Sequence, residues 1–90
     1  MKKAIVSVIG QDKVGIIAKV SACLADCGVN ILDISQTVMQ EYFTMMMLTD
    51  VSNMVITIGE LTNKLNAIGD EMHLTIRVNN EDIFNAMHRL

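Results

Sequence analysis

A chain of 90 residues is enough for one domain, and at that size folding buries only about 60–65% of the surface that the unfolded chain exposes. With 51% hydrophobic residues, 19% charged residues and a mean hydropathy of +0.39, the sequence carries more apolar surface than so small a monomer hides easily, so a self-association face is expected. A net charge of −3 and a pI near 5.1 provide no basic stripe for phosphates, and one tyrosine with two phenylalanines provides no stacking platform, which excludes nucleic acid as the main partner.

The opening MKKAIVSVIG superficially resembles a secretory signal, but its apolar part stops at Gly10 and Asp12 and Lys13 follow, too short for a typical signal core. No run approaches the roughly 18 apolar residues that span a bilayer. A cytoplasmic protein with no membrane partner is expected. Residues 3–9, KAIVSVI, are apolar at Ala4, Ile5, Val6, Val8 and Ile9, the pattern of a central strand rather than a half-wet edge.

The period changes after GQDKVG, residues 10–15. From Val14 to Cys27 a stripe of Ile17, Val20, Leu24 and Cys27 recurs at helical spacing. Asp12 stands where an N-cap or first-turn anion is favoured, and Gly28 where a left-handed residue ends a helix. Cys23 and Cys27 lie one turn apart on that helix as small buried hydrophobes. Two cysteines, with His73 and His88 far along the chain, make neither a zinc site nor a disulfide framework.

NILDISQTVMQ, residues 30–40, is a second strand, and YFTMMMLTDV follows with Gln40 and Glu41 as the turn of an antiparallel hairpin. Alternation along the third strand separates Phe43, Met45 and Met47 from Tyr42, Met46 and Leu48. One set faces the helices and the other needs a cover, so a homodimer is expected. The adjacent methionines cannot converge on a metal, since successive strand residues point to opposite faces.

Thr57 and Glu60 have capping-box spacing at the head of a second helix, with Ile58, Leu61, Leu65 and Ile68 as its buried stripe and Gly69 as its end. MHLTIRV then alternates as an outer strand, with His73 on its wet face. NEDIFNAMHRL, residues 80–90, reads as a terminal helix capped by Asn80, with acids in its first turn and His88 and Arg89 in its last.

This order is an α+β, ferredoxin-like βαββαβ sandwich: a four-stranded antiparallel sheet in the order 4-1-3-2, two helices on one face and a short C-terminal helix, all in one domain over residues 1–90. The first loop lacks the Lys-Ser/Thr pair of a phosphate loop and the third glycine of a dinucleotide fingerprint. It also lacks the arginine of an acylphosphatase and the C-x-x-C of a copper carrier. No nucleophile set or paired carboxylates assemble, so no enzyme activity and no cofactor are expected. What the loop has is a carboxylate, a cation and a helix N-terminus. Its backbone amides suit a carboxylate, while Asp12 and the Asn30 amide oxygen suit an ammonium group.

The segments D-K-x-G-I-I-A at 12–18, G-x-N-I at 28–31, D-I-S-Q at 33–36 and F-x-M at 43–45, with the ending E-D-I-F-N-A-M-H-R-L, resemble an ACT domain, and specifically the small stand-alone ACT-domain proteins of bacteria and archaea. The resemblance implies a regulatory module that binds a small molecule, in most cases an amino acid, at an interface between paired domains. Similar domains occur on formyltetrahydrofolate deformylase and on a repressor of glycine cleavage, so a lone domain would act in trans on a partner enzyme or transporter. By position, the ligand site falls on Gly10, Asp12, Gly15 and Ile16 of the loop and on Asn30 and Ile31 of the second strand, the latter pair meeting the loop of a neighbouring chain. Serine-sensing dehydrogenases have a histidine where this chain has Gly10 and an amide where it has Asp12, so serine specificity is not implied. The alternative is a protein-interaction subunit with a vestigial pocket.

Overall fold

A computed structural model describes residues 2–11 and 15–80. The elements follow as β1 (Lys3–Gln11), α1 (Ile16–Asp26), β2 (Asn30–Met39), β3 (Tyr42–Asp50), α2 (Ile58–Met72) and β4 (Thr75–Asn80). All strand pairs are antiparallel and the sheet order is β2-β3-β1-β4, the expected arrangement. The expected terminal helix lies outside the described residues apart from Asn80, which is the last residue of β4.

The β1–β3 register decides which side chains face inward. Val6 opposes Met47, Val8 opposes Met45 and Gly10 opposes Phe43, and directly opposed residues share a sheet face. That face lies under the helices, where Ala4, Val6, Val8, Met45 and Met47 are fully buried with Val20, Leu24 and Leu61. Each large side chain buried there contributes about 1.5–3 kcal/mol. Thr49 is fully buried on the same face, and its hydroxyl donates to the Ala4 carbonyl at 2.8 Å, so the core holds a polar group at little cost.

The helices depart from expectation at their ends. The N-cap of α1 is Gly15, at φ 89, without a side-chain cap bond, whereas Asp12 was expected there; Asp12 lies outside the described residues. The buried stripe is Ile16, Val20 and Leu24, joined by Cys27, and Ile17 is 39% exposed. At about 100° per residue those four cluster on a narrow arc and Ile17 falls at its border. Gly28 is left-handed, as expected, at φ 78. In α2 the capping box forms, with Glu60 N–H donating to Thr57 Oγ1 at 3.1 Å and Thr57 N–H to Glu60 Oε1 at 3.3 Å. Ile58, expected in the buried stripe, is the first residue of α2 and is 41% exposed.

Gly69 does not end α2. The helix continues to Met72 and stops at His73, left-handed at φ 57, so Met72 and His73 are not strand residues. Gly69 is instead a point of close approach: its carbonyl accepts the Leu74 N–H at 2.8 Å, and a Cβ on it would sit 2.7 Å from the Leu74 carbonyl oxygen. Gly69→Ala therefore gains helix propensity of about 1 kcal/mol but must push backbone away from backbone. A net loss of about 1–3 kcal/mol is expected, measured as a lower urea midpoint at unchanged slope. The β2–β3 turn holds the opposite case. Gln40 carries φ 55 in a two-residue turn between Met39 and Tyr42, the first central position at which glycine is favoured. Gln40→Gly should stabilise the chain by up to about 1 kcal/mol, seen as a melting point a few degrees higher.

Candidate ligand site

The loop end of the molecule is built where β1 hands over to α1. Gly10 lies within β1, opposite Phe43, and its inward side is taken: a Cβ there would overlap the Leu74 Cδ2 methyl. The bare backbone of Gly10 makes room for Leu74, which is itself buried. Gly15 stands in open space, with nothing within 4 Å of where a Cβ would be. Its carbonyl already accepts the Lys19 N–H at 2.9 Å. The next residue, Ile16, turns its side chain into the core at 2% exposure, so it offers a ligand its backbone N–H and not its side chain.

Asn30 and Ile31 lie at the other end. Asn30 pairs with Asp50, which pairs with Lys3, while Met39 pairs with Tyr42, which pairs with Gln11. Eight residues of strand separate these rows, roughly 26 Å at the usual rise. Within one chain, then, the two halves of the expected site do not meet. Asn30 is exposed and Ile31 half-buried, and the register slips just beyond them, between Ile31 and Asp33, leaving Leu32 as an added residue in a bulge.

Beside Gly10, on the sheet face away from the helices, a depression of about 450 Å³ is lined by Ile9, Gly10, Gln11, Tyr42, His73 and Thr75. Its amide, phenol, imidazole and hydroxyl groups were not singled out from sequence. The Gln11–Tyr42 pairing follows from the hairpin register. His73 joins them only because α2 runs past Gly69 and ends in a left-handed residue, a conformation that histidine adopts more readily than most side chains.

A second groove, of about 410 Å³, runs between α1 and α2 and is lined in part by Lys19, Cys23, Cys27 and Lys64. Lys19 is joined to Glu71 at 2.6 Å, an exposed pair worth at most about 1 kcal/mol. Cys27 is buried, but Cys23 is only half-buried, short of the full burial expected. Burial first, and then Cys27 beside it, push the Cys23 thiol up from its ordinary range. Among the described residues no three His, Cys, Asp or Glu side chains gather as a metal site, and no helix is long and apolar enough to cross a membrane.

The ACT-domain family profile matches residues 2–79. The chain belongs to the ACT-domain family. A UPF0237 protein of Clostridium acetobutylicum is 53% identical over 88 residues, covering 98% of this chain and 99% of the relative. A UPF0237 protein of the archaeon Methanocaldococcus jannaschii is 47% identical over all 90 residues of both. Among solved structures, an ACT domain protein from Streptococcus pneumoniae superimposes with a TM-score of 0.80 at 43% identity, covering 92% of this chain and 93% of that one. This ACT domain is thus of the small UPF0237 type found in bacteria and archaea, and an ACT domain is a regulatory ligand-binding module.

Its cysteines make a direct check on the packing. Because the Cys23 thiol is raised, its thiolate is scarce near neutral pH. At pH 8 iodoacetamide should modify Cys23 more slowly than free glutathione, with the gap closing as pH rises past the ordinary thiol range. Cys27 should react only on unfolding. Peptide mass spectrometry along the time course reads both.

Proposed function

We propose that this ACT domain senses an amino acid as a homodimer and acts in trans on a partner enzyme or transporter. Each ligand lies between the β1–α1 loop of one subunit and the head of β2 of the other. Gly10, Asp12, Gly15 and Ile16 serve from the loop, and Asn30 and Ile31 from the strand. The backbone amides at the start of α1 take the ligand's carboxylate, and Asp12 with the Asn30 amide oxygen takes its ammonium group.

The observation that carries this reading is the separation of Asn30 from the loop together with the state of the β2 edge. All but one of the ten β2 residues are exposed, among them Leu32, Ile34, Val38 and Met39. The strand has no proline and one charged residue, Asp33, so little on it discourages pairing with another edge. A two-fold axis through that edge joins β2 to its copy antiparallel. The Asn30 end of one strand then runs beside the Met39 end of the other, in the row from which the loop departs. Such pairing moves the partner's Asn30 from the far end of the sheet into the row of Gln11, three strand spacings or roughly 14 Å away. The same apolar edge also fits the interaction-subunit reading, in which no amino acid binds.

A thermal-shift screen of the common amino acids separates the two. A ligand at about 100 times its Kd adds about 2.7 kcal/mol and raises the melting point by several degrees. The shift should shrink in Asp12→Ala and in Asn30→Ala. Mixing these two variants in equal amounts tests the shared site: half the dimers are then mixed, each with one intact site, so about a quarter of the sites recover. No recovery after subunit exchange would place both residues in one subunit's pocket. No shift with any amino acid would favour the interaction subunit.

A further inference from the structure

The chain's two cysteines take no part in the proposed amino-acid site, yet both line the groove between α1 and α2. Side chains four residues apart on a helix share a face, with Cβ atoms about 5–6 Å apart. Cys27 is near enough to act on the Cys23 thiol by charge and by hydrogen bonding. It is 3% exposed while Cys23 is half-buried, so one sulfur anchors the pair from below and the other meets solvent. Cys27 is also fixed in place. It is the C-cap of α1, its N–H donates to the Cys23 carbonyl at 3.2 Å, and its own carbonyl accepts the Val55 N–H at 3.0 Å. A thiol whose backbone is held on both sides loses little freedom when it binds something.

What the groove can hold follows from what surrounds the sulfurs. Ala22, Ala67 and Ile68 line it with small or apolar side chains, and Asp26 adds one carboxylate, but among the described residues no three His, Cys, Asp or Glu side chains gather. Zinc takes four ligands, and calcium or magnesium takes about six or more oxygens, so all three are left short here. Thiolates select soft ions such as copper(I), for which two sulfurs in line suffice. A thiolate bond to a first-row metal is about 2.3 Å, so a linear sulfur–metal–sulfur unit spans about 4.6 Å, within reach of two thiols whose Cβ atoms lie about 5–6 Å apart. Binding releases both thiol protons, and two thiolates with one monovalent cation leave a single negative charge. Lys64 of α2 faces that charge, and its influence on Cys23 exceeds that of Asp26.

We infer that Cys23 and Cys27 form a two-coordinate site for a soft monovalent cation, copper(I), in the groove between α1 and α2. The ion enters past half-buried Cys23 and closes onto the fixed sulfur of Cys27. Each helix has its own part: α1 supplies both ligands, and α2 supplies the ammonium group of Lys64 that offsets the charge of the complex. The site lies on the helix side of the sheet, so it depends neither on the amino-acid site nor on the pairing of chains.

Anaerobic titration of the full, reduced chain with copper(I), in competition with a chromophoric copper(I) chelator, tests this. Wild type should take one ion per chain and show a thiolate-to-copper charge-transfer band in the ultraviolet. Cys23→Ala and Cys27→Ala should each lose the band and weaken binding by more than the roughly 100-fold that losing a group behind a ligand costs. Circular dichroism checks both variants, and Cys23→Ala, at the half-buried position, keeps the test valid if Cys27→Ala loosens the core. Lys64→Glu leaves both thiols in place and should weaken binding roughly 10-fold. An equal amount of zinc should not displace the copper. The inference is overturned if wild type leaves the copper with the chelator, or if either cysteine variant binds as wild type does. Half an ion per chain also overturns it, since two chains would then share the ion through Cys23. An affinity that Lys64→Glu leaves unchanged would overturn the part assigned to α2.

Discussion

Nine successive pairs, from Lys3 opposite Asp50 to Gln11 opposite Tyr42, lock β1 to β3, and most other features of the molecule depend on that ladder. Side chains alternate with a period of two, so a slip of one residue would carry Met45 and Met47 out of the core and Met46 into it. Three methionines in a row would tolerate the exchange by composition. Thr49 resists it, since the same slip turns it out of the core and breaks the bond from its hydroxyl to the Ala4 carbonyl across the ladder. Losing such a bond costs about 0.5–1.5 kcal/mol. Val6, Val8, Met45 and Met47 thereby form the floor on which α1 and α2 rest.

The strands and their order were legible because their apolar runs differ in kind. β1 is apolar at five of the six residues from Ala4 to Ile9, as suits a strand flanked on both sides, and β4 alternates, as suits an edge. The helix ends were not legible in the same way. A glycine near the end of a helical pattern signals either a left-handed cap or a close approach, and the two leave the same letter. Gly28 is both, left-handed and closely approached by the Asn53 carbonyl, whereas Gly69 is only the second. The distinction rests on where Leu74 returns in space, so α2 ran on to His73 and β4 began later than its alternation suggests. Ile16 and Ile17 pose a similar ambiguity, since adjacent isoleucines at the border of a stripe are separated only by how α1 is rolled on the sheet.

For the candidate site, the loop glycines and Asn30 could be singled out from sequence, and so could the idea that Asn30 answers to another chain's loop. What spacing could not convey was the distance. Fifteen residues separate Gly15 from Asn30 in sequence, but α1 carries the chain from one end of the sheet to the other. Gln11, Tyr42, His73 and Thr75 could not be grouped from sequence for a related reason. They come from three strands and a helix end, and only the combined registers of β3 and β4 against β1 bring them to one depression.

The interlock of Gly10 with Leu74 couples two positions that are far apart in sequence. The inward space beside position 10 belongs to Leu74. Placing a side chain at position 10 is thus a compound event. A larger residue at 10 alone would strain the core, and a smaller residue at 74 alone would leave a cavity. Neither step is neutral by itself, so drift toward a side-chain-based specificity at position 10 has to pass through a less stable intermediate, and the glycine is held in place by packing whether or not a ligand is present.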